Sequence, residues 1–204
     1  MSKVEYLPWR TGINRLSYLI DMLESTSAFG KFEKYLVKLV EPIYYKLGWQ
    51  EQDDDSWLDK QLRTNIISFA CSRGVLDCVN KSKEYFTEWM NTNNNQVPPN
   101  YRQIVYCTAI REGTEIDWNF AFDQYLNETD SNIKNTLQAA MSCSRLPWLI
   151  SKYLSIQIDP SIIRIQDALS GLRAAATKPE SNLKTWNYIK DNWEILFARY
   201  FLLF

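Results

Sequence analysis

Three of the four cysteines stand at equal intervals: Cys107 lies 36 residues after Cys71, and Cys143 lies 36 after Cys107. Each closes an apolar helical run and precedes a small residue, in Cys71-Ser72, Cys107-Thr108 and Cys143-Ser144. The fourth, Cys78, follows Cys71 across the short stretch Ser72-Arg73-Gly74-Val75-Leu76-Asp77. Such spacing reads as successive helical units that place a cysteine at a similar level. Two states of the thiols remain open. An even count in a tryptophan-rich chain with glycosylation acceptors suggests two disulfides. Four buried free thiols are the alternative, because free cysteine is among the most buried residue types.

Helical periodicity fills the chain around these cysteines. Ile13, Leu16, Ile20 and Leu23 follow one helix face, and Ser25-Thr26-Ser27 ends the run. Phe32, Leu36, Leu39, Ile43 and Leu47 mark a second helix with Gly48 as its C-terminal cap, and Pro42 is expected to kink or divide it. The polar run Gln50 to Ser56 reads as a solvated loop that supplies the next N-cap; its three aspartates lack the alternating ligand spacing of a calcium loop. Leu58, Leu62, Ile66 and Phe69 give a third helix closed by Gly74, and Cys78, Val79, Phe86 and Trp89 a fourth. Asn91 to Asn100 is a surface excursion rather than a domain linker. Helices over 101–112, 117–127 and around Ile133, Leu137 and Met141 follow, then a short one from Ser144-Pro147 through Leu154. Asp159-Pro160 reads as an N-cap with proline at the first helical position, opening a helix through Ile163, Gln166 and Leu169. Pro179-Glu180 opens a last helix with Leu183, Trp186, Ile189, Trp193 and Leu196 on one face. The fold class is therefore all-α, as an α-solenoid of antiparallel helix pairs like a HEAT/armadillo superhelix. The apolar end Tyr200-Phe201-Leu202-Leu203-Phe204 suggests that partner surface continues beyond it.

The chain contains no histidine, which excludes a Ser-His-Asp or Cys-His nucleophile pair and a histidine-based zinc site. Its six glycines are scattered singly, so no phosphate-binding loop is present. The reading is of a chain with no catalytic residues and no metal ligands of its own. A net charge of −1 gives no electrostatic reason to expect nucleic acid or an anionic membrane surface. No stretch approaches 18 consecutive apolar residues, so direct membrane insertion is not expected. Met1 to Trp9 lacks the apolar core of a signal peptide, so an export signal is expected outside this sequence, the first hint of a fragment. Asn80-Lys81-Ser82 and Asn127-Glu128-Thr129 are N-glycosylation acceptors and agree with an oxidising compartment.

A resemblance runs through nearly the whole chain. Leu7-Pro8-Trp9, Pro42-Ile43-Tyr44 and Leu47-Gly48-Trp49 begin it, followed by Leu62-Arg63 and Ala70-Cys71 with Cys78. Phe86, Trp89-Met90, Pro98-Pro99-Asn100-Tyr101-Arg102 and Val105-Tyr106-Cys107 come next in order, then Trp118, Phe120-Ala121, Cys143, Trp148-Leu149 and Tyr153-Leu154. Ile163-Arg164-Ile165-Gln166-Asp167, Trp186 and Asn192-Trp193 complete the series. Together these resemble the C-terminal helical domain of zinc aminopeptidases of the aminopeptidase N and endoplasmic-reticulum aminopeptidase type.

The resemblance implies a single partial domain over 1–204, a solenoid truncated at its C-terminal end, and pairing of Cys71 with Cys78 and Cys107 with Cys143. It implies a non-catalytic domain that caps an aminopeptidase catalytic domain and encloses the peptide substrate, the zinc being held by that absent domain. It also implies an extracellular or luminal location by way of a membrane-anchored parent. A second copy of the chain is a further candidate partner. Where the family carries Asn-Pro-x-Gly, this chain has Lys178-Pro179-Glu180-Ser181, which points to an altered turn, and Lys184 replaces a leucine two residues before Trp186.

Arg164, Gln166 and Asp167 are the candidate cavity residues. The resemblance places their helix toward the peptide cavity; the alternative is a structural ion pair between Arg164 and Asp167, three apart on one helix face. The tryptophans and tyrosines read as interhelix core more than as a peptide or carbohydrate platform. Arg102 and Arg145 are further candidates for the concavity. A stand-alone binding or scaffold protein that kept the solenoid and lost the enzyme is the rival function, and fold does not separate the two.

Overall fold

Side-chain caps set where three of the helices begin. In the computed structural model, which describes residues 5–200, eleven α-helices and one 3-10 turn account for the regular structure, with no strand among the described residues. The helices are α1 (Tyr6–Leu23), α2 (Phe29–Leu47), α3 (Trp57–Ser72), α4 (Leu76–Thr92), α5 (Arg102–Arg111), α6 (Glu115–Asn127), α7 (Ser131–Met141), α8 (Pro147–Gln157), α9 (Ile165–Ala176), α10 (Asn182–Asp191) and α11 (Trp193–Tyr200). The all-α class is as the periodicity requires. Ser56 opens α3 through a capping box with Asp59, and Thr114 opens α6 with Asp117 in the same way. Asp130 opens α7 by accepting from the backbone of Asn132 and Ile133. Gly48 and Gly74, at φ of 59° and 76°, take the left-handed backbone after α2 and α3 that a side chain would strain. The apolar residues 201–204 lie outside the described residues.

Two compact units divide within α4, one running to Lys81 and the other from Ser82. In the first, α3 packs against both α1 and α2. Leu36, Val40, Ile43 and Tyr44 of α2 meet a core that includes Leu62, Ile66 and Ile67 of α3, all buried. The Cys71–Cys78 disulfide, with both residues buried, joins the end of α3 to the start of α4. In the second unit α7 packs on α5, α6 and α9, while α8 packs on α9 and α10. The Cys107–Cys143 disulfide joins α5 to the segment after α7. Trp118 is fully buried there, and its indole N–H donates to the Met141 carbonyl. Phe86, Trp89, Tyr106 and Phe120 form a second aromatic core, with ring centroids 4.9 to 5.9 Å apart. Both pairings agree with those the family resemblance implies, and they decide against four free thiols.

Pro42 sits inside α2, which continues across it with Val40 before and Ile43 and Tyr44 after buried. Three expectations need correction. Asp159-Pro160 opens a turn and not a helix. The Asp159 carboxylate accepts from the backbone N–H and hydroxyl of Ser161, and its carbonyl accepts from Ile162 and Ile163. These local bonds compete with a helix, which starts only at Ile165. The helix expected from Pro179 is two helices: α10 starts at Asn182, and the chain breaks at Asn192, whose side-chain amide turns back to the Tyr188 carbonyl. Leu183, Trp186 and Trp193 on this face are exposed, and only Leu196 of the face is buried. The tryptophans as a class are not core: Trp49, Trp89 and Trp118 are buried, whereas Trp57, Trp148, Trp186 and Trp193 are exposed by more than half.

Candidate functional site

Arg164 is the N-cap of α9 rather than a residue within it, with extended backbone at φ −63° and ψ 144°. Its guanidinium still reaches Asp167, in the first turn of α9, through Nε at 2.7 Å and Nη2 at 2.7 Å. The spacing of three therefore makes the pair even though only one partner is helical. An acid in the first helical turn also suits the helix dipole. The same Nη2 lies 3.4 Å from the hydroxyl of Ser131, the first residue of α7. Asp167 contributes its carbonyl as well, accepting from the buried side chain of Gln138 at 3.2 Å. Gln166 is exposed.

Tyr125 and Lys134 belong beside the pair, and nothing in the local sequence marks them. The Tyr125 hydroxyl donates to the Ile162 carbonyl at 3.4 Å, and the Lys134 ammonium lies 5.0 Å over its ring. Burial raises the phenol above its usual range; the Asp167 carboxylate adds to this and Arg164 opposes it. The cluster thus gathers Tyr125 from α6, Ser131 and Lys134 from α7, and Arg164 with Asp167 at the head of α9. Its donors and acceptors are mutually engaged, which suits binding and orientation more than proton transfer.

A second concave feature lies in the first unit. A cavity of about 420 Å³ runs between α1 and α3, lined by Arg10, Asn14, Ser17, Gln61, Asn65 and Ser68 among others. The amides and hydroxyls come from residues three or four apart on each helix, so they form a polar row on each, with Arg10 as the cation of the row on α1. The Arg10 guanidinium stacks 5.6 Å over the Tyr6 ring at the rim. Polar residues on an otherwise apolar helix face were the available signal, and the stretch Asn14 to Ser17 carries it.

The glycosylation candidates differ in setting. Asn127 ends α6, exposed, with Thr129 also exposed in the following loop. Asn80 is exposed within α4, but Ser82 of its acceptor is fully buried.

The sequence profile of the ERAP1-like C-terminal domain matches residues 2–201. The chain belongs to this family. Relatives of the ERAP1-like C-terminal domain chain include mouse aminopeptidase N, 33% identical over 208 residues, covering 98% of this chain and 21% of the relative. Human aminopeptidase N is 35% identical over 202 residues, covering 96% and 21%. Pig glutamyl aminopeptidase is 32% identical over 200 residues, covering 97% and 21%. The chain thus spans about a fifth of the length of the curated relatives it matches. The sequence holds no histidine, and no group of three or more metal-ligating side chains occurs among the described residues.

Proposed function

We propose that this ERAP1-like C-terminal domain chain serves a zinc aminopeptidase as its non-catalytic part, docking on the catalytic domain and enclosing the peptide substrate. The observation that carries this is the coverage: a C-terminal domain profile matches almost the whole chain, which in turn matches only a fifth of proteins named aminopeptidases. The absence of any histidine supports leaving the chemistry to another domain. The two disulfides support an extracellular or luminal site, and Asn127 is the acceptor better placed to carry a glycan.

Two measurements test the assignment. The purified chain is expected to release no product from an aminoacyl-p-nitroanilide with or without added zinc; chelator-sensitive turnover by pure protein overturns the non-catalytic reading. In the full-length enzyme, Arg164→Ala is expected to change the peptide-length preference while dipeptide turnover is kept. Unchanged length preference sinks the cavity role of Arg164 and leaves it as the structural partner of Asp167.

A further inference from the structure

The polar groove between α1 and α3 lies wholly within the first unit. Buried Leu62, Ile66 and Phe69 turn one face of α3 to the core, and Gln61, Asn65 and Ser68 run beside that face along the groove. Asn14 and Arg10 line it from α1, and Arg10 is the only charged residue of the lining. Asn14, Gln61, Asn65 and Ser68 make no side-chain hydrogen bond among the described residues. Arg10 has no ion pair among them either; its guanidinium rests on the Tyr6 ring.

Gln61 and Asn65 are half-buried, so water reaches these amides only in part and a partner that satisfies them is favoured. Each amide both donates and accepts, which is what a peptide group asks of its partner. Residues three or four apart on a helix step about 5 to 6 Å along its axis, and an extended chain presents equivalent main-chain groups about every 6.6 Å. The row from Gln61 to Ser68 therefore runs beside about three residues of an extended segment. Competing ligands fit less well. The lining rings of Tyr6 and Phe69 are exposed by only 9% and 6%, so no open aromatic face awaits a sugar. A lone cation is too little for a phosphate polymer, and it suits a single carboxylate.

We propose that the groove binds an extended polypeptide segment by its main chain, with Asn14, Gln61 and Asn65 exchanging hydrogen bonds with its peptide groups and Arg10 holding an acidic side chain of the segment. Recognition through the main chain tolerates many sequences, and the single cation selects for acid among them. The groove belongs to the first unit and the Arg164 cluster to the second, so the outcome at one leaves the other standing.

The experiment titrates the full chain with the blocked peptide acetyl-Ala-Asp-Ala-Asp-Ala-amide. Calorimetric binding and the side-chain amide NMR signals of Asn14, Gln61 and Asn65 are followed together. Saturable binding with shifts of all three signals is expected. Asn65→Leu is expected to weaken it about tenfold, and so is methylation of the alanine nitrogens of the peptide. Arg10→Gln is expected to remove the preference for this peptide over one with asparagine in place of aspartate. Absence of saturable binding overturns the site, as does full affinity of either the methylated peptide or Asn65→Leu. Should Asn65→Leu fail to fold, Asn14→Leu at an exposed position decides, and undiminished binding by that variant overturns the site. Maltotriose shifting the same signals where the peptide shifts none makes the groove a sugar site and overturns peptide binding.

Discussion

The Tyr44 hydroxyl donates to the Asp77 carboxylate at 2.6 Å while accepting from the Trp49 indole N–H at 2.8 Å. One phenol on α2 thereby joins the loop after its own helix to the first turn of α4, beside the Cys71–Cys78 disulfide. The bond is the largest influence holding the Asp77 carboxyl below its ordinary value of 3.8; burial opposes it and Lys81 assists.

Tyr44→Phe removes both bonds at a site only 2% exposed and is expected to cost about 2 kcal/mol in urea unfolding at neutral pH. The acid dependence has a definite sign. Asp77 is depressed in the folded chain, so its contribution is full above the ordinary carboxyl value and lost as pH falls through the folded one. The stability gap between the native chain and Tyr44→Phe should stay level near neutrality and narrow below about pH 4. A gap that widens in acid contradicts the pairing.

Among the three consecutive aspartates only Asp55 has a structural partner of consequence. It accepts from Arg63 Nη2 at 2.6 Å, while Arg63 Nε donates to the Gln50 carbonyl and its Nη1 has no partner. Arg63 is 3% exposed, so removing its counter-charge leaves a buried guanidinium. Asp55→Ala should cost about 3 kcal/mol, against less than about 0.5 kcal/mol for Asp53→Ala or Asp54→Ala. Equal effects at the three positions, measured by denaturant midpoint, refute the distinction.

Gly171 lies where α9 meets a buried pair of amides. A methyl group there would stand 1.9 Å from Gln157 Oε1 and 2.6 Å from Gln138 Nε2. Those side chains bond each other at 2.7 Å and are buried at 0% and 2% exposure, so neither swings clear. Gly171→Ala is expected to destabilise by about 2 kcal/mol. Gly12→Ala in α1 meets nothing within 4 Å and should gain about 0.5 to 1 kcal/mol. Thermal unfolding of the two variants in parallel checks the contrast.

The disulfides enclose loops of very different length, with separations of 7 and 36 residues. On chain entropy the Cys107–Cys143 link contributes about 4 kcal/mol and the Cys71–Cys78 link about 2.5 kcal/mol. Replacing Cys107 and Cys143 together by alanine should lower stability more than the same change at Cys71 and Cys78. The reverse order in equilibrium unfolding would rule out loop length as the controlling factor.

The start of α3 was legible because its cap is local: Ser56, in the run read as supplying an N-cap, does what that reading says. Asp159 misleads because the same carboxylate that caps a helix also closes a turn, and neighbouring residues alone do not distinguish the two. The break at Asn192 has neither proline nor glycine to announce it. Ser181, where the family resemblance implies glycine, has φ −124°, and its hydroxyl donates to the Ala175 carbonyl near the end of α9. Lys184, in place of leucine, donates to the Pro147 carbonyl. The Arg164–Asp167 pair was visible in its spacing, whereas Tyr125, about 40 residues away, comes beside it only through packing. Tyr44 and Asp77, 33 apart, are invisible for the same reason.

Trp57, Trp148 and Trp186, exposed by 67%, 55% and 59%, give the folded chain an optical handle. Indoles in water emit at longer wavelength than the buried Trp89 and Trp118, so the native spectrum is already weighted to the red and unfolding moves it little. Any surface that covers these rings shifts the emission to the blue without a label, so the proposed docking on a catalytic domain can be tested by the chain's own light.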